Sequence, residues 1–273
     1  MISNEKKKRL IPVILIKNGW VVQSVGFKVF KNIGHPIPTI KRLSDFGSDE
    51  LILLDITKND FYETRRVDMN YSFKDEFIDI LKQLSEVSFM PVAVGGKILN
   101  LKDAVKRIEN GAEKIVINTL ALNNKDEVKK IIKELGNQAV VLSVDYKKTE
   151  NNEYKVVKKG NEVLKVNAFD HCKEITELGI GEIFLNSVDR DGKKNGYEIE
   201  FLKKISNEIK IPIIACGGAG SWSDMYEVYE KTDCDGIAAS NIFHHIEHSV
   251  FLAKEYLHKK SKKFRTPKFE ADI

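Results

Sequence analysis

Along the 273-residue chain, short runs of β-branched and aliphatic residues alternate with longer stretches whose apolar residues recur at spacings of three and four. The short runs read as strands buried on both faces and the longer ones as amphipathic helices, the signature of repeated βα units around a parallel sheet. Strands are expected at 10–16, 50–54, 91–94, 114–117, 139–144, 182–186, 212–215 and 236–239. Helical patterns cover 100–110, 125–135, 168–178, 221–231 and 249–258, with Ser221 and Ser249 as cap-type starts and Gly111 and Gly179 as left-handed stops. Two polar segments interrupt the alternation, 18–38 after the first strand and 147–160 followed by 163–166 after the fifth. The second reads as a solvated hairpin or a lid over the ligand.

The halves repeat. Ile14-Leu15-Ile16-Lys17 matches Val144-Asp145-Tyr146-Lys147, and Glu50-Leu51-Ile52-Leu53 matches Glu182-Ile183-Phe184-Leu185. Val94-Gly95-Gly96 matches Cys216-Gly217-Gly218, and Asn118-Thr119 matches Ala239-Ser240. Eight strands in a doubled pattern predict one α/β domain, a (β/α)8 barrel over residues 1–273, with half-repeats at about 8–136 and 137–258 and a basic tail at 259–273. The repeat is broken where it matters for chemistry, because Asp145 at one strand end faces Leu15 at its mate, and a carboxylate with an aliphatic cannot share acid/base work.

A hydrophobic fraction of 42%, a charged fraction of 31% and the lack of any long apolar run exclude a membrane span. Residues 1–8 lack the apolar core of a secretory signal, so a cytoplasmic location is expected. Cys172, Cys216 and Cys234 lack metal-ligand spacing and read as reduced structural thiols. The net charge of +4 is concentrated at the ends, in Lys6-Lys7-Lys8-Arg9 and Lys259-Lys260-Ser261-Lys262-Lys263. These runs read as solvated ends or a docking rim, and without an interleaved aromatic face they do not indicate a nucleic-acid partner.

Gly95-Gly96 with Asn118-Thr119, and Gly217-Gly218 with Ala239-Ser240, read as two anion sites across one barrel mouth, suited to a ligand with a phosphate at each end. Asp191-Gly192 forms a tight loop counted with the second site, and Lys97 either adds charge to the first site or points to solvent. Asp55 and Asp189 end strands and either meet sugar hydroxyls or hold loops; His244 and His245 read as structural. No metal site, cofactor or hydrolytic triad is expected.

Asp49 to Thr57, Ile117-Asn118-Thr119, Ser187-Val188-Asp189-Arg190-Asp191-Gly192 and Ile213 to Gly220 together resemble the cyclase subunit of imidazole glycerol phosphate synthase, the HisF-like family, over about 8–258. The resemblance implies a HisH-like glutaminase docked on the N-terminal barrel face, ammonia passing through the barrel, and a doubly phosphorylated substrate at the other end. It places the family's salt-bridged gate at Arg9, Glu50, Lys114 and Glu182, and its two catalytic aspartates at Leu15 and Asp145. A family lysine falls at Gln23, a threonine at Asn186 and the third glycine of the first phosphate loop at Lys97. Asn18 is the nearest polar candidate to stand in for Leu15. A retained gate with an incomplete acid/base pair resembles the divergent branch that feeds ammonia to a third protein for sugar amidation in surface-polysaccharide synthesis. The alternative is a functional cyclase of histidine biosynthesis.

Overall fold

Starting from Ile14, parallel pairing runs to Leu53, Val94, Ile115 and then Val140. From Val144 it runs to Leu185, Ala215, Ile237 and back to Leu10. Each half-circuit arrives four residues short of the repeat mate, at Val140 rather than Val144 and at Leu10 rather than Ile14, so the sheet closes with a stagger of eight. That stagger is the shear of a (β/α)8 barrel. The computed structural model describes residues 6–58, 62, 76–246 and 248–268; the expectation that residues 1–8 are no secretory signal falls partly outside these, as do tail residues 269–273.

The barrel strands are β1 (Arg9–Lys17), β4 (Leu51–Asp55), β5 (Val92–Gly95), β6 (Lys114–Ile117), β7 (Val140–Lys148), β10 (Glu182–Ser187), β11 (Ile213–Cys216) and β12 (Gly236–Ala239). Side chains alternate across them. Ile11, Val13, Ile52, Ala93, Val116, Val141, Phe184, Ile214 and Ala238 fill the interior, while Leu10, Ile14, Leu51, Leu53 and Ile115 pack outward against the helices. Burial on both faces is why the strands read as unbroken apolar runs.

The two polar insertions are antiparallel hairpins grown from the barrel: β2 (Trp20–Val25) with β3 (Val29–Gly34) on β1, and β8 (Tyr154–Lys158) with β9 (Glu162–Asn167) on β7. Because β1 and β7 continue into hairpins, both outrun their expected ends. The outer helices include α1 (Pro36–Asp45), α2 (Phe77–Val87), α3 (Leu101–Ile108), α4 (Thr119–Asn123), α5 (Lys125–Leu135), α6 (Ala168–Glu177), α7 (Ile199–Glu208), α8 (Trp222–Lys231), α9 (Ile242–His245) and α10 (Ser249–Lys260). Ser221 caps α8 in a reciprocal pair with Asp224, as its sequence position suggested. Ser249 does not cap α10. That position belongs to His248, and the Ser249 hydroxyl donates instead to the Phe243 carbonyl at 3.0 Å.

Gly111 and Gly179 do adopt the left-handed turn, at φ 107° and 96°. The three cysteines are free and buried, and burial pushes the Cys172 thiol up to about 12 and the Cys234 thiol to about 11, which suits inert core residues. Among the described residues no helix is long and apolar enough to cross a membrane.

As far as Lys268 the tail follows a fixed course, while Lys259, Lys260, Lys262 and Lys268 stay exposed, as expected of solvated lysines. Lys8 and Phe264 form a β-bridge, Phe264 is buried against Tyr229, and Arg265 pairs with Asp49 at 2.7 Å. The tail therefore lies against the N-terminal face, where β1 and β4 begin.

Barrel register also corrects the repeat alignment. With Leu53 paired to Val94 and Leu185 to Ala215, Gly95 is the mate of Cys216, Gly96 of Gly217 and Lys97 of Gly218. By the same logic Asn118 is the mate of Ser240 rather than Ala239. The backbone agrees, since Gly96 and Gly217 have φ 102° and 96°. Matching identical glycines had shifted the loops by one residue.

Candidate active site

Four charged residues close the bottom of the barrel. Arg9 Nη1 donates to Glu50 Oε2 at 2.5 Å and Arg9 Nη2 donates to Glu182 Oε1. Lys114 Nζ donates to Glu50 Oε1 at 2.9 Å and to Glu182 Oε2 at 2.8 Å. Each base bridges both acids, every carboxylate oxygen is used, and the ring is neutral. Glu50 and Glu182 are 3% and 4% exposed, a burial that a carboxylate tolerates only when fully paired. Burial disfavours the charged Arg9 guanidinium, but hydrogen bonds and charge from Glu182 and Glu50 outweigh it and hold its pKa above the ordinary value. Lys114 is the looser base, with 24% of its side chain exposed against 16% for Arg9. Its compact ammonium on a flexible stem can leave the ring more easily than a bidentate guanidinium.

Above the ring the interior is lined by apolar side chains up to Leu15, Leu54 and Cys216, which pack on top of the inner core, with buried Ser143 of β7 between inward-facing Val141 and Asp145. A mostly apolar lining opposes an ion, which would have to shed its water, more than a small neutral molecule.

At the opposite end, Asp145 stands among strand termini. Its Oδ2 accepts from Asn118 Nδ2 at 2.9 Å and its Oδ1 from Asn186 Nδ2 at 3.2 Å. Enclosure by the strand ends pushes its carboxyl up to about 6, although both amide donors pull the other way. A carboxyl near neutrality can both give and take a proton at physiological pH. Its mate Leu15 offers no partner. Asn18 cannot stand in, because it lies three residues further along an extended strand, roughly 10 Å away, in the β1–β2 turn at φ 53°.

The expected anion sites come out differently. Asp191, Gly192, Gly217, Gly218, Ala239 and Ser240 line one pocket, together with Lys194 and Asn241. Ser240 Oγ and Asn241 Oδ1 are buried there without a hydrogen-bond partner, so the pocket holds polar capacity that the protein itself does not use. Asp191 also anchors the first hairpin, accepting from Ser24 Oγ at 2.7 Å and the Phe27 N–H at 3.2 Å. In the first half, Asn118 spends its side-chain amide on Asp145, and Thr119 begins the short helix α4. Gly95 and Gly96 are required by packing, since a Cβ on Gly96 would lie 2.2 Å from the Asp55 carbonyl.

Lys97 does not simply point to solvent. Its Nζ donates to Tyr62 Oη at 2.6 Å and lies 3.7 Å from Asp55 Oδ2, while Tyr62 donates to the same carboxylate at 2.7 Å. Burial pushes the Tyr62 hydroxyl up to about 12, so it remains a donor. Lys97 adopts φ 52° where its mate Gly218 sits at 105°, so a backbone built for glycine carries a side chain here. Sequence reasoning missed Tyr62, which lies outside any recognisable pattern. Asp55 and Asp189 both hold loops: Asp55 accepts from the Thr57 N–H and Asp189 from the Lys148 N–H. Gln23 sits in β2 opposite Lys31. His244 is a packed residue whose pKa is lowered to about 4 by burial, and among the described residues no cluster of three metal-ligating side chains forms.

Comparison with known proteins matches residues 9–249 to a family model described as histidine biosynthesis protein. The chain is 36% identical over 252 residues to imidazole glycerol phosphate synthase subunit HisF of Alkaliphilus metalliredigens, covering 92% of this chain and 96% of that one. It is 38% identical over 252 residues to the same subunit of Sulfolobus acidocaldarius, with the same coverage. To that of Bacillus cereus it is 34% identical over 251 residues, 92% of this chain and 95% of the relative.

Proposed function

The chain belongs to the histidine biosynthesis protein family, and from that membership we propose that it is the ammonia-receiving barrel subunit of a glutamine amidotransferase complex. A HisH-like glutaminase docks on the N-terminal face and releases ammonia at the ring of Arg9, Glu50, Lys114 and Glu182. The observation that carries this reading is the arrangement along the barrel axis: a closed neutral ion ring, a largely apolar interior, and the enclosed carboxylate of Asp145 held by two amides at the far end. Ammonia passes as the neutral molecule, and transient release of Lys114 opens the ring.

The names of the relatives support the cyclase acceptor of histidine biosynthesis, a doubly phosphorylated ribulosyl ribotide, more strongly than any other. In that reaction Asp145 works without a second carboxylate, so turnover is slow beside that of a paired site. Two observations favour a second reading, amidation of a sugar by a third protein: Leu15 leaves the pair incomplete, and Lys97 alters the loop of the expected first phosphate site.

The test is to mix the purified chain with the HisH-type glutaminase of the same genome. We expect association at micromolar concentration or below and a rise in glutamine hydrolysis of roughly 5- to 150-fold, the usual range of coupling between sites. Failure of the two proteins to associate would overturn the proposal under either acceptor.

A further inference from the structure

The basic tail falls outside the residues that match the family model, which end at 249. It nevertheless has a defined place. Lys8 donates its N–H to the Lys263 carbonyl at 2.9 Å, Lys7 Nζ donates to the Lys262 carbonyl at 2.7 Å, and the Phe264 side chain is 1% exposed. Arg265 reaches Asp49 Oδ1, which also pairs with buried Lys254 at 2.8 Å and directly precedes the ring residue Glu50. The Lys268 carbonyl lies so close to Gly47 that a Cβ there would meet it at 2.6 Å.

This surface continues to an unusual aromatic. Ser44, at the end of α1 three residues before Gly47, accepts from the Phe89 N–H at 3.1 Å, and the Phe89 ring is 79% exposed in the loop that leads into β5. Phe89, the 44–49 loop and the tail thus form one continuous strip on the N-terminal face, beside the ion ring. Its tail portion presents Lys262 and Lys268 to solvent, near the exposed Lys6 and Lys7 of the other chain end.

We propose that this strip is the charged part of the glutaminase docking surface: the tail is an arm that meets an acidic patch on the glutaminase, and Phe89 is its apolar anchor. The inference rests on the function proposed above. It commits to the glutaminase because the strip adjoins the ring on both sides: Asp49, bound by Arg265 of the tail, precedes Glu50, and the Pro91 carbonyl, two residues after Phe89, accepts from the Leu51 N–H that follows Glu50. Exposed aromatics at the centre of such contacts carry a large share of binding, and rim charges set on-rate and salt dependence.

The test uses the intact chain and the same HisH-type glutaminase, with the dissociation constant measured from 50 to 500 mM salt. Phe89→Ala should weaken binding at least tenfold at every salt concentration. The triple variant Lys262→Glu, Lys263→Glu, Lys268→Glu should weaken it at least tenfold at low salt and remove most of the salt dependence; its fold is checked by an unchanged thermal midpoint. Arg265→Ala, which frees the arm from Asp49 without reversing charge, should fall between the triple variant and the unmodified chain. Unchanged affinity and salt dependence in the triple variant would overturn the arm while leaving the proposed function intact. No binding by the unmodified chain would overturn both.

Discussion

Replacing Lys114 with alanine should abolish the advantage of glutamine over free ammonium as nitrogen donor while leaving ammonium-driven turnover within about threefold of the parent. The ring explains the split. Lys114 touches both Glu50 and Glu182 and lies at the opposite end of the barrel from Asp145, so its loss opens the entry without disturbing the mouth. The same substitution leaves two buried carboxylates sharing Arg9 alone. Breaking a fully buried ion pair costs about 3–5 kcal/mol, and the partial exposure of Lys114 reduces this to about 2–3 kcal/mol. For a chain of this size that is a fall of roughly 4–10 °C in thermal midpoint. Lys114→Arg, which can restore both contacts, should recover stability and coupling together. Equal loss of ammonium-driven and glutamine-driven activity in Lys114→Ala would contradict the gate assignment.

Asp145→Asn should lower ammonium-driven turnover by about 10²- to 10⁴-fold, the usual contribution of one positioned acid or base. It should also make the protein more stable above pH 6. The native carboxyl titrates near 6 because the strand ends enclose it, whereas in the unfolded chain it titrates near 3.9. The folded state therefore binds the proton more tightly, so the contribution of Asp145 to stability is fully present below pH 4 and is lost as pH rises through 6. Parent and variant should match at pH 4. At pH 8 the variant should lead by about 1–2 kcal/mol, a figure discounted for the open side of the mouth. Denaturant titrations at the two pH values give the difference, and a variant less stable than the parent at pH 8 would show that the amide donors outweigh the enclosure.

Much of this molecule was legible because barrel geometry imposes strict patterns. Strands buried on both faces must be apolar throughout, and the repeated Glu50 and Glu182 mark matching strand starts, so the eight strands could be placed without coordinates, whereas the four ring residues came from the family resemblance. The glycine loops were harder to place. Their glycines serve close packing against neighbouring backbone as much as any ligand, and identical residues drew the alignment one position out of register.

The first hairpin carried a local signal that went unused, Asn18-Gly19 between alternating residues, and both positions adopt the positive φ of a tight two-residue turn. Tyr62 and the fixed course of the tail had no such signal. A lone tyrosine reaching Lys97 and Asp55, or Arg265 reaching Asp49 across more than two hundred residues, depends on tertiary closure rather than periodicity. The register confirmed one inference that did come from sequence, that Leu15 occupies the position of Asp145 in the other half.

In the proposed function the ammonia end of this barrel is complete while its chemical end lacks one carboxylate. The most direct measurement is the turnover of the histidine-pathway ribulosyl ribotide in excess ammonium, with no glutaminase present, by the parent chain and by Leu15→Asp side by side. Slow or absent conversion by the parent and a gain of about 10²-fold or more in Leu15→Asp are expected. Equal, efficient conversion by both chains would contradict this, because Asp145 would then suffice without a partner.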